Sequence, residues 1–144
     1  MSCGCALAAS AAAPRARAAW GDPIPIGPLK DFAKDEISET FIKHNFFVIR
    51  HQGRLYAVTA TCPHKGNYLL LDPGNPNEII CSGHDSAFDA EGSLLDGPAK
   101  ESLERFGIAV DDKGIVRVDT NKHFPEDQWE DKASFVDLKQ KPQA

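Results

Sequence analysis

Two short pairs of metal-binding side chains constrain this chain more than anything else in it. Cys62-Pro63-His64 and Cys81-Ser82-Gly83-His84 each set a thiol beside an imidazole, and residues 65–80 separate them. Gaps of one and two residues make each pair a tight loop that delivers one sulfur and one nitrogen. The two loops must then meet for the four donors to act together. Both pairs are flanked by runs typical of strands, so the surrounding architecture is read as β.

Two cysteines and two histidines suit two kinds of centre. One is a structural zinc ion. The other is a binuclear [2Fe–2S] cluster with two thiolates on one iron and two imidazoles on the other. Zinc sites commonly group the cysteines and then the histidines on knuckles or a helix, whereas here the two types alternate. Further residues follow in order. Gly66 completes Cys-x-His-x-Gly, and Ser86, Phe88, Asp89, Gly92, Gly97, Pro98 and Ala99 complete His-x-Ser-x-Phe-Asp…Gly…Gly-Pro-Ala. With these matches the chain resembles the Rieske iron–sulfur family over roughly residues 22–119.

The resemblance implies one [2Fe–2S] cluster held by Cys62, His64, Cys81 and His84, with no catalytic residue of the chain's own. Two neutral imidazoles in place of thiolates make such a cluster less negative, so it accepts an electron more readily. Either histidine could couple electron to proton uptake through its remaining ring nitrogen. Around the ligands, Gly66, Gly83 and Gly97 are expected to allow close backbone approach to the sulfurs. Lys65 is expected at the surface beside His64, and Gly97-Pro98-Ala99 resembles the family's proline loop over the cluster. Ser86 stands where the family often bonds a hydroxyl to a bridging sulfide; Phe88 stands where its highest-potential members have a tyrosine. One donor kept and one lost implies an intermediate potential within the span of about −150 to +300 mV. Many respiratory members carry a disulfide between the loops, at places equivalent to Asn67 and Gly83 here. This chain departs from that pattern and resembles the ferredoxin-type members.

The expected fold is all-β: an antiparallel sandwich or barrel with a small cluster-binding subdomain. Hairpins are predicted at 46–50 with 55–59, at 87–89 with 93–95, and at 106–110 with 115–118. Glu78-Ile79-Ile80 reads as a strand entering Cys81, Asp72–Asn77 as a turn cluster, and Asp35–Ser38 as a helical turn. At 144 residues there is room for one core, placed at 20–120, with a polar extension over 121–144. That extension, bearing Phe124, Trp129, Phe135 and Val136, is read as a strap over the sheet or a docking segment.

Residues 1–19 read as an export leader: an Ala-rich weakly apolar stretch, Arg15 and Arg17, and a small-x-small site ending at Ala18. It is similar to the back half of a twin-arginine leader, which points to the periplasm; a disordered tail on a cytoplasmic protein is the competing reading. Beyond residue 19, 14 basic residues face 21 acidic ones, a balance that repels nucleic acid and suits basic protein partners. No stretch reaches the roughly 20 apolar residues of a membrane span.

A one-electron carrier between oxidoreductases is the function these features imply, with a reductase, oxygenase, cytochrome or molybdenum enzyme as redox partner. Rieske oxygenases need a second iron site in a long extra domain, for which this chain has no space. The alternatives are a tightly held subunit of a larger redox enzyme, similar to the small subunits of arsenite oxidase or nitrite reductase, and a zinc-stabilised binding module.

Overall fold

A computed structural model describes residues 22–139. In chain order its strands are Ile24–Pro28 (β1), Glu36–Ser38 (β2), Phe46–His51 (β3), Arg54–Thr59 (β4), Leu69–Asp72 (β5) and Asn75–Cys81 (β6). Ala87–Phe88 (β7), Leu94–Asp96 (β8), Arg105–Val110 (β9), Ile115–Phe124 (β10) and Val136–Asp137 (β11) follow, with three single 3-10 turns between strands. The larger sheet has the order β1-β10-β9-β4-β3-β2, and β11 also pairs with β4. The smaller sheet is β5-β6-β7-β8, and every pairing is antiparallel.

Both faces of the central strands are buried, and the period-two alternation of strand side chains decides which core each residue enters. Phe47 and Ile49 of β3 and Tyr56 and Val58 of β4 pack toward Leu69, Ile79 and Phe88 of the smaller sheet. Their neighbours Phe46, Val48, Leu55 and Ala57 pack against Phe106, Ile108, Val116 and Val118, where the large sheet folds over itself. Each fully buried aromatic or branched side chain contributes about 1.5–3 kcal/mol. The first core continues to Cys62 and Cys81, which ties the floor of the two loops to the most buried part of the domain.

Three details depart from the sequence reading. Residues 36–38 form a strand instead of a helical turn, because pairing with β3 sets Ile37 opposite Ile49 and buries it. The turn cluster at 72–77 contracts to Pro73–Gly74: Asp72 and Asn75 face each other, and β6 begins at Asn75. The third hairpin runs on past 118, since a register shift between Asp119 and His123 lets β10 stay paired with β9 as far as Phe124. Beyond it the chain lies as a strap. Trp129 and Ser134 are buried, Val136 pairs with Leu55, and the Leu138 N–H donates to the Gly53 carbonyl at 2.8 Å.

Candidate metal centre

Two loops projecting from the smaller sheet bring the four predicted ligands together. The first, which we call finger one, is pinched at its base by a bridge between Thr61 and Tyr68. The Cys62 N–H donates to the Asn67 carbonyl at 2.7 Å and the Gly66 N–H to the Cys62 carbonyl at 2.9 Å. Gly66 closes this bend at φ 74°. Finger two leaves β6 at Cys81, whose N–H donates to the Ser86 carbonyl at 2.9 Å; the Ser82 N–H reaches across to the Tyr68 carbonyl at 3.1 Å. Asn67 lies directly over Gly83, where any Cβ would collide with its amide. The positions compared above with a disulfide are therefore in contact, and an amide packed on a glycine fills the space between the fingers.

The four donors stand close together. Cys62 and Cys81 are free thiols, 1% and 6% exposed, and both belong to the first core. The rings of His64 and His84 meet edge to face with centroids 4.8 Å apart. Cys81 Sγ lies 3.9 Å and Asn67 Nδ2 3.1 Å from His84 Nδ1. Among the described residues, no three Cys, His, Asp or Glu side chains gather about one point as a single metal ion requires. Mixed thiol and imidazole donors on two adjoining loops suit a two-iron cluster.

Electrostatics favour the same occupant. Burial pushes the Cys62 thiol up, and the neighbouring Cys81 adds to this, while the backbone N–H groups of His64 and Lys65 aim at its sulfur and pull the other way. A buried thiol resists ionisation unless a cation takes up the charge. Desolvation, followed by the neighbouring His84, Lys65 and Lys100, holds His64 below the usual histidine range. His64 Nδ1 is screened from solvent and has no hydrogen-bond partner among the described residues. An orphaned ring nitrogen is costly; coordination would satisfy it. The residues fit a two-metal cluster.

The remaining predicted residues frame the fingers in different ways. Ser86 is fully buried and its Oγ accepts the Ala99 N–H at 3.1 Å, which fastens the 97–99 loop to finger two. Its own proton stays available to a sulfur. Phe88 is completely buried in the core beneath the cysteines. Gly97 (φ 103°) leaves no space for a Cβ, which would strike the Asp85 carbonyl and the Ser86 backbone. Pro98 and Lys65 are exposed. His44 stacks on Phe46, His51 lies by Glu91, and His123 bonds Glu104; none joins the fingers. Sequence reasoning missed Tyr68, 67% exposed on finger one. One tyrosine in an unpatterned stretch carries no signal of exposure.

Fold and fingers define a class: an antiparallel β domain that presents mixed thiol and imidazole donors on two adjoining loops. The Rieske [2Fe-2S] domain pattern matches residues 22–107, and the chain belongs to that family, whose members carry a [2Fe–2S] cluster for electron transfer. Over 73 residues it is 37% identical to the Rieske iron–sulfur subunit of the cytochrome bc1 complex of Corynebacterium efficiens, covering 49% of this chain. It is 31% identical over 72 residues, 48% of this chain, to the ferredoxin component of the alkene monooxygenase system of Xanthobacter autotrophicus. The chain spans 18% of the first relative's length and 57% of the second's. The plasma membrane Rieske protein PetC3 of Synechocystis PCC 6803 superposes with a TM-score of 0.50 at 27% identity, over 67% of this chain and 98% of that one. Among the described residues no helix is long and apolar enough to cross a membrane; residues 1–19 lie outside them.

Proposed function

We propose that Cys62 and Cys81 hold one iron and His64 and His84 the other iron of a single [2Fe–2S] cluster, and that the protein is a one-electron carrier between oxidoreductases. The observation that carries this is the meeting of two buried thiols and two imidazoles at the finger interface, with His64 Nδ1 buried and, among the described residues, unpartnered. When bound, the cluster supplies reversible uptake of one electron. The chain's part is to hold four donors in place, to exclude water from the sulfurs by burying both cysteines, and to point backbone N–H groups at Cys62 Sγ. The histidine rings are half-buried at the tip, where an electron enters and leaves.

Residues 20–120 form the cluster domain in this reading, residues 1–19 an export leader that sends the protein to the periplasm, and residues 121–144 an extension that braces the sheet. Of the named relatives, one is a subunit of a cytochrome bc1 complex and another the ferredoxin component of an alkene monooxygenase system; a cytochrome or an oxygenase component is accordingly the class of partner proposed here.

Purification in air followed by iron and acid-labile sulfide analysis tests the ligand assignment. The expected result is two irons and two sulfides per chain, with visible absorbance and, after dithionite, the paramagnetic signal of a reduced cluster. One zinc without sulfide, or a colourless chain that stays so after reconstitution, would refute it. His64→Cys should lower the potential, since a thiolate adds negative charge.

A further inference from the structure

A second polar centre shares no residue with the fingers. Arg105 on β9 is 3% exposed. Its guanidinium is stacked between the rings of Tyr56 and Trp129, with Cζ 3.9 and 4.1 Å from their centroids. Nη2 donates to the Glu91 carbonyl at 3.0 Å. Nε is buried with no partner among the described residues, and so is Nε1 of Trp129, itself 8% exposed. Unmatched buried donors are costly, more so when one is charged, so two of them in one place call for an acceptor.

Arg105 and Trp129 are among the residues that line a cleft of about 280 Å³. Two of its other charges cancel: Arg54 Nη1 and Nη2 lie 3.2 and 3.3 Å from the Glu130 carboxylate; the lining also holds the Glu91 carboxylate, whose Oε1 is 3.9 Å from His51 Nε2. Arg105 and Lys139 are the cations of the lining that form no ion pair among the described residues. We propose that this cleft binds a small oxyanion, a carboxylate or phosphate group, seated on Arg105 and Trp129 Nε1 with Lys139 at its side. Both aromatic faces of the guanidinium are taken, so the ligand meets its edge, where N–H bonds match paired oxygens. Binding ties β9 to the strap and thereby stiffens the domain.

The test uses the full chain in its metal-loaded form. Isothermal titration with citrate, and separately with inorganic phosphate, is run at an ionic strength held constant with potassium chloride. Saturable binding of one anion per chain is expected, with a rise in Tm of about 3 °C or more near saturation. Trp129→Phe keeps a stacking ring and deletes the N–H; Lys139→Gln removes a surface charge. Each should weaken binding about tenfold, the size of one charge-assisted hydrogen bond. Tighter binding of citrate identifies a carboxylate ligand, and tighter binding of phosphate identifies a phosphate. Absence of saturable heat with both anions, or undiminished affinity in both variants, overturns the proposal.

Discussion

The large sheet and the two fingers are built on different principles. β3 and β4 are buried on both faces, and Phe46, Phe47, Ile49, Leu55, Ala57 and Val58 expose essentially nothing. The fingers have two buried thiols and a handful of backbone hydrogen bonds at their feet, with Pro63, Lys65, Gly66, Ser82 and Gly83 exposed. Burial thus fixes the platform without help from a ligand, whereas a metal is what completes the fingers. The lesson is that cluster loss and unfolding should be separable events in this domain.

The largest expected effect falls on the platform. Phe46 stacks with Phe41 and meets Phe106 edge-on inside the second core. Phe46→Ala should cost about 3–5 kcal/mol, measured by chemical denaturation, while protein that remains folded keeps its iron. If iron is lost first, the platform is not independent of the fingers. Gly97→Ala comes next. Its left-handed φ and the adjacent Asp85–Ser86 backbone make the substitution worth about 3 kcal/mol of strain. The comparison predicts that finger two gives way: iron content falls while the Tm of the metal-free protein moves little. A matching collapse of that Tm would contradict it.

Ser86→Ala is a smaller change on the same loop. It strips the buried Ala99 N–H of its acceptor, at a cost of about 1–3 kcal/mol, and removes a hydroxyl proton from beside the cysteines. A lower potential in voltammetry, with faster iron release to a chelator, is the expected pair of results. The smallest effect lies on the strap. A hydrogen bond from Arg54, and then its charge, hold the Glu130 carboxyl below the ordinary glutamate value of 4.5. A carboxyl lowered in the folded state adds stability above that value and loses it as pH falls through the folded one. The Tm gap between wild type and Glu130→Gln should be present at neutral pH and close below pH 4.5; a gap persisting in acid would show that the contribution is not ionic.

Legibility followed the range of the interactions. The ligand pairs and the 46–59 hairpin are local, carried by residue type and by turn positions a few residues apart, and they were read from sequence. Ile37 was not: three residues beside Asp35 become a strand through pairing with β3, which no local pattern announces. The course of β10 past residue 118 depends on a register shift against β9, and Lys122 and His123 look too polar to extend a strand. Arg105 was invisible for the opposite reason. An arginine in an apolar run reads as solvent-facing, and its stacking partners come from 49 residues before and 24 after it. At the metal centre, the candidate donors and their division between two irons come from residue order and resemblance, whereas the packing of Asn67 on Gly83 is a property of the assembled loops.

One feature of β4 bears on how the chain can be handled. β9 pairs with it at Ala57 and Val58, and β11 takes over at Leu55 and Arg54, so its backbone is covered on that side by two segments in succession. Trimming the polypeptide ahead of Val136 would bare the amides and carbonyls at Arg54 and Leu55, an open rim on which a second molecule could add its own strand. Shortened versions should be screened for self-association before any loss of solubility is blamed on missing iron.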